Sequence, residues 1–169
     1  MGAYKYIRNT FINEYKVRSD EYKNRLAKWG KENSIIRVDK PTNLPRARVL
    51  GYKAKQGLIV VRVKVKKGRK KRAMVGGGRK PSKNGRFFSR ATSMQSIAEV
   101  RATKKYSNCE VLNSYYVGDT GPYKFYEVLL VDSSHPAITK DPILKDVAKQ
   151  RGRAERSLTS SGKRHRVKS

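Results

Sequence analysis

Residues 58–66 read L-I-V-V-R-V-K-V-K, and from Val61 the alternation is strict: Val61, Val63 and Val65 fall on one side, Arg62, Lys64 and Lys66 on the other. Strand side chains alternate faces with a period of two, so the pattern predicts a half-buried strand whose outer face carries cations roughly 6 to 7 Å apart. Such a row can simply solvate the outer face of a sheet, or it can follow a line of phosphates. The residues around it favour the phosphate reading.

Directly after the strand, residues 67–90 (KGRKKRAMVGGGRKPSKNGRFFSR) show no apolar periodicity, three consecutive glycines and ten more cations: Lys67, Arg69, Lys70, Lys71, Arg72, Arg79, Lys80, Lys83, Arg86 and Arg90. A loop this long without its own structure is unusual in a compact domain and is normally functional or disordered. It is expected to be disordered alone and to order on a partner. Residues 40–98 as a whole hold eighteen Lys and Arg and no Asp or Glu, and residues 149–169 add a net +7, while residues 99–148 sum to −1. Like charges so concentrated repel in a compact state, so a partner must supply the negative charge. Nucleic acid phosphate, which releases condensed counterions when neutralised, is the commonest such partner. An anionic membrane surface is the alternative.

Before the strand, aromatic and aliphatic residues recur at steps of three and four: Tyr4, Ile7, Phe11 and Tyr15, then Tyr22, Leu26 and Trp29. This predicts two helices with a break near Val17, Ser19 or Asp20 capping the second. Pro41, Asn43 and Pro45 predict a loop, followed by an extended segment over 46–52. Beyond the basic loop, Thr92 and Gln95 suit a capping box that opens a helix to about Lys105. Residues 110–117 and 123–132 are β-rich and flank Gly118-Asp119-Thr120-Gly121-Pro122, which predicts a hairpin. The second of these has apolar residues on both faces and suits an interior strand. Asp141-Pro142 looks like a cap with proline at the first helical position. From Gln150 the chain is basic and Gly/Ser-containing without a periodic apolar face. The expected architecture is α+β: one domain over 1–149, with a small antiparallel or mixed sheet packed with helices and an internal basic loop at about 67–90, then a basic extension over 150–169.

Ten Tyr, four Phe and one Trp argue for a real core, although 37% hydrophobic content is too low for every residue to contribute. A single Cys109 excludes an internal disulfide framework. Residues 1–12 lack the apolar run of a signal peptide, and no apolar run approaches the roughly 20 residues of a membrane span, so a cytoplasmic protein without a membrane partner is expected. His135, His165 and Cys109 form no metal-ligand spacing. Gly76-Gly77-Gly78-Arg79-Lys80 lacks the phosphate-loop pattern because Pro81 follows Lys80. Glu99, Glu110, Glu127 and Asp132 read as surface or pairing groups rather than an acid/base couple. No enzyme, cofactor, metal or small-molecule substrate is expected.

RNA is recognised by cations on phosphates, by aromatic or guanidinium stacking on unpaired bases, and by basic segments that fold on binding. Arg46, Arg48, Lys53 and Lys55, the strand row Arg62, Lys64 and Lys66, the loop cations, and Arg151, Arg153, Arg156, Lys163, Arg164 and Arg166 of the tail are the candidate contacts. Phe87 and Phe88 either stack on bases or dock on the core, and Tyr52 poses the same choice. A DNA-compacting protein would share the charge, but no groove-reading helix or minor-groove wedge is evident. A membrane-surface protein would need a basic helix with a strong apolar face.

Five blocks carry a family resemblance: MGAYKYI (1–7), LGYKAKQG (50–57), SMQSIAE (93–99), VLNSYYVG (111–118) with YKFYE (123–127), and LTSSG (158–162). Nearly the whole chain, in order, resembles the e-type ribosomal protein fifteen family of archaeal and eukaryotic large subunits. Departures concentrate in 21–45, in 67–90 and at the C-terminus, where the longer basic extension of eukaryotic members is missing. The resemblance implies an α+β core with extensions lying in large-subunit ribosomal RNA, a structural role without catalysis, and neighbouring large-subunit proteins on the outer side. It also implies RNA-facing roles for Arg46, Arg48, Lys53, Lys55 and Lys163.

Overall fold

A computed structural model describes residues 2–73, 75–83, 85 and 87–166. Arg86, one of the candidate contacts, lies outside them. The chain opens with α1 (Tyr4–Val17) and α2 (Asp20–Lys31), and the Ser19 hydroxyl between them accepts the Tyr22 amide proton at the start of α2. After β1 (Ile35–Val38) comes α3 (Leu44–Val49), where the sequence suggested an extended segment. The physical reason is local: Asn43 accepts the Arg46 amide at 3.0 Å, and Pro45 sits in the first turn, where its missing N–H costs nothing.

Strand β2 (Leu58–Lys66) leads into the basic loop, which contains a two-stranded ladder: β3 (Lys70–Lys71) runs antiparallel to β4 (Phe87–Phe88). Helix α4 (Met94–Lys105) follows, then the hairpin of β5 (Cys109–Asp119) and β6 (Tyr123–Asp132). The cap of α4 is Ser93, whose hydroxyl accepts the Ser96 amide at 3.1 Å, rather than Thr92. The chain finishes with α5 (Pro136–Thr139), α6 (Leu144–Lys149) and α7 (Ser160–Lys163). Asp141 accepts the amides of Ile143 and Leu144 at 3.0 and 3.2 Å, but α6 begins only at Leu144 with Ile143 in the cap position, so Pro142 precedes the helix instead of opening it as the sequence suggested.

The four long strands form one antiparallel sheet in the order β1-β2-β6-β5, which makes β6 an interior strand. Both of its faces are buried. Tyr126, Val128 and Leu130 pack with Val61, Val63 and Val65 of β2 against Ala98 and Ala102 of α4. On the opposite face, Phe125 meets Tyr22, Leu26 and Trp29 of α2, Leu129 meets Val60 and Ala47, and Val131 meets Ile138 and Leu144. Each fully buried aliphatic side chain of this kind contributes about 1.5–3 kcal/mol relative to exposure.

The second covered face changes the reading of β2. Arg62 and Lys64 share a side with Val60 and therefore point under α2 rather than into open solvent. Arg62 pairs with Glu32 at 2.6 Å and lies 4.2 Å over the Trp29 ring, its side chain only 11% exposed. Lys64 donates to the carbonyls of Gly30 at 2.8 Å and Glu32 at 2.5 Å, at the negative end of the α2 dipole. Only Lys66, the last of the row, is exposed. An open cation track along β2 is thus corrected to a pair of helix-anchoring contacts and one free end.

Three buried glutamates tie distant segments to the sheet. Glu127 accepts the Thr42 amide at 3.0 Å and also the hydroxyls of Thr42 and Tyr115. Glu110 accepts the amides of Gly152 and Arg153 at 3.0 and 3.2 Å. Glu99, fully buried in α4, accepts hydroxyls from Thr159 at 2.6 Å, Ser161 at 2.7 Å and Ser114. Residues 150–163, which carry no periodic apolar signal, are held on the core by these polar anchors, and Ala154, Thr159, Ser161 and Gly162 are buried.

Candidate nucleic-acid interface

Acid is scarce in this chain, thirteen residues against forty-one Lys and Arg, and much of it is committed internally. Among the described residues, seven basic side chains pair with carboxylates at 2.5–3.7 Å: Arg18, Lys23, Arg25, Lys53, Lys55, Arg62 and Lys67. The candidate contacts therefore sort into those used within the fold and those facing outward.

Lys53 and Lys55 converge on Asp141 at 3.4 and 2.5 Å, and Lys55 also donates to the Ala137 carbonyl at 3.2 Å. The Lys55 ammonium, the amides of Ile143 and Leu144, and Lys53 hold the Asp141 carboxyl well below the usual carboxylate range. Lys67 pairs with Asp119 at 2.5 Å. Burial works against ionisation of Asp119, but the bonds from Lys67 and the Tyr116 hydroxyl outweigh it and lower its pKa. Arg153 is half-buried; its Nε donates to the Val111 carbonyl at 2.9 Å and its guanidinium also reaches Gln150. Burial lowers its pKa against the opposing pull of Glu110 and Glu99. Among the candidate contacts, these groups do structural work first.

The outward set is concentrated in three places. Arg46 and Arg48 stand exposed on α3, Arg48 lying 5.2 Å over the Tyr4 ring. Arg69, Lys71, Arg72, Arg79, Lys80 and Lys83 are exposed along the basic loop, and Lys70 belongs to its ladder opposite Phe88. Arg151, Arg156, Lys163, Arg164 and Arg166 are exposed at the C-terminal end, with Arg156 folded back on the Arg151 carbonyl at 2.6 Å. The two phenylalanines separate. Phe88 is half-buried beneath the Arg72 guanidinium at 4.2 Å, whereas Phe87 is 60% exposed. Arg90, half-buried, approaches the Lys66 carbonyl at 3.5 Å and ties the loop's end to the strand. Tyr52 packs beside Ala47 and Leu129, so it belongs to the core.

A groove that the sequence did not announce lies between α1, α3 and β5, with a volume of about 1380 Å³. It is lined by seven basic side chains and one acid, Glu14, which Arg25 neutralises at 2.5 Å. The signal for it was present in the aromatic stripe of α1, which buries none of its residues. Among the described residues, no group of three or more His, Cys, Asp or Glu is placed to hold a metal ion, and no helix is long and apolar enough to cross a membrane.

Comparison with known proteins matches residues 2–168 to the family model described as Ribosomal L15. The chain is 49% identical over 169 residues to the large ribosomal subunit protein eL15 of Methanocella arvoryzae, covering 98% of this chain and 86% of that one. It is 47% identical to the protein of the same name from Metallosphaera sedula, covering 98% of this chain and 77% of the relative.

Proposed function

The chain belongs to the e-type Ribosomal L15 family, a structural component of the large ribosomal subunit and not an enzyme, and from that premise we propose that it binds and stabilises large-subunit ribosomal RNA through its outward cations. Neighbouring large-subunit proteins complete its surroundings. The observation that carries the proposal is the division of charge: carboxylates close the fold from within, while Arg46, Arg48, the loop cations Arg69, Lys71, Arg72, Arg79, Lys80 and Lys83, and Arg151, Arg156, Lys163, Arg164 and Arg166 stand at the surface without enough acid to neutralise them. RNA phosphate supplies that counter-charge, and the released counterions drive association. Lys53, Lys55, Arg62, Lys64 and Arg153 hold the scaffold that presents the outward set.

Sedimentation of a cell extract, with the chain followed by mass spectrometry before and after a wash in about 0.5 M salt, tests this directly, because exposed charge pairs are screened at that strength. Co-migration with the large subunit through the wash is the expected result. Complete release, or migration with DNA, would overturn it.

A further inference from the structure

We propose that the groove between α1 and the core holds an unpaired segment of ribosomal RNA, with Tyr4 and Tyr15 as stacking stations for its bases and Arg8, Arg46, Arg48 and Arg164 on its phosphates. The inference rests on the RNA-binding reading above and gives it a site away from the strand and the basic loop, to which the extension contributes Arg164.

Four observations converge. The volume, about 1380 Å³, exceeds the roughly 300–1,000 Å³ of small-molecule sites and suits a length of polymer. Tyr4 and Tyr15 lie eleven residues apart on one face of α1, roughly 16 Å at helical rise, and both line the groove. They are 42% and 45% exposed, so each offers a ring to a ligand. Each ring is also already steadied by a neighbour: Tyr4 by the Arg48 guanidinium at 5.2 Å, Tyr15 by an edge-to-face contact with Tyr116 at 6.2 Å. Finally, the lining is strongly cationic, which favours a polyanion over an apolar peptide. Rings interleaved with cations match single-stranded RNA, whose bases stack while its backbone follows positive charge.

Helix α1 buries no side chain, so replacing its tyrosines leaves the core intact. The full chain and a Tyr4→Ala/Tyr15→Ala variant would be titrated by fluorescence anisotropy, at about 0.2 M salt, against an unstructured RNA of about twelve nucleotides and a duplex of the same length. The expected result is a loss of at least about tenfold on the single strand with less than about twofold change on the duplex, and rescue by Tyr4→Phe/Tyr15→Phe, which keeps the rings. Unchanged single-strand affinity, or equal losses on both RNAs, would overturn the groove proposal and leave general RNA binding standing. A wild-type chain that binds neither RNA would overturn both. In intact large subunits, an ultraviolet cross-link from either tyrosine to a base supports the proposal, and cross-links placing another protein against both would refute it.

Discussion

The carboxylate of Glu99 and the hydroxyl of Thr159 meet at 2.6 Å in the interior, joining α4 to the start of α7 across sixty residues of sequence. Ser161 and Ser114 donate to the same carboxylate, so three hydroxyls converge on one side chain. Hydrogen bonds to a charged group are worth roughly 1.5–3 kcal/mol each, and an orphaned buried hydroxyl carries its own desolvation cost.

Glu99→Ala is therefore expected to lower stability by about 3 kcal/mol or more in urea denaturation, and to expose residues 150–166 to trypsin. Glu99→Gln, which keeps an acceptor oxygen, should lose less. Equal resistance of the alanine variant to trypsin would show that the C-terminal segment is held by something else.

Asp141→Asn should destabilise the protein in a pH-dependent way. A carboxyl whose folded pKa is depressed adds stability that is present above its unfolded value of about 3.9 and is lost as pH falls through the folded one. The melting-temperature gap between wild type and variant is expected to be full at pH 7 and to narrow below the ordinary carboxylate range. A gap that stays constant down to pH 2 would contradict the pairing with Lys55 and Lys53.

Neutralising outward cations and inward ones should have different signatures. Arg46→Gln with Arg48→Gln is expected to reduce the slope of log affinity against log salt by about 0.7 for each phosphate no longer neutralised, without changing stability. Arg62→Gln should instead lower stability, because it removes the Glu32 pair and the Trp29 contact, and leave the slope alone. Titrations at several salt concentrations, beside denaturation curves, separate the two.

Gly162→Ala is a steric test of the same C-terminal docking. A Cβ there would lie 2.7 Å from Cα of Ser157, a backbone atom that cannot swing aside. A cost of about 1–3 kcal/mol is expected, the usual range for overpacking.

Cys109 should resist alkylation at pH 8 in the native protein and react once it is unfolded. Burial, aided by Asp132, pushes its thiol up to about 11, so little thiolate exists at that pH. The unfolded thiol ionises near its ordinary value, so this residue contributes stability that is lost as pH rises above that value. Iodoacetamide labelling followed by intact mass measurement reads the difference.

The sequence made the helix pair, the β5–β6 hairpin and the interior position of β6 legible because each carries its own periodicity and punctuation. Ser19 marks a cap, and residues 123–132 are apolar on both faces. Helix α3 was missed because R-A-R-V alternates like a strand over so few residues, and the Asn43 cap with Pro45 was the better signal. Strand β1, four residues long, carried too little pattern to be read at all. At β2 the period of two separated the faces correctly, but which face α2 covers depends on contacts some thirty residues away, so Arg62 and Lys64 were read as open. The buried glutamates were hidden because Glu is ordinarily a surface residue, and only the hydroxyls and amides supplied by remote segments make its burial tolerable.

The placement of those glutamates also sets an order of completion during synthesis. Until residues 152–161 have been made, Glu110 lacks both of its amide donors and Glu99 lacks two of its three hydroxyls, although α4 and the hairpin already exist as chain. The interior is closed only once this segment has been made, so a chain that stops short of it does not reach the mature fold. A chain ending at residue 149 should accordingly remain loose and sensitive to protease, even though every strand of the sheet is present in it.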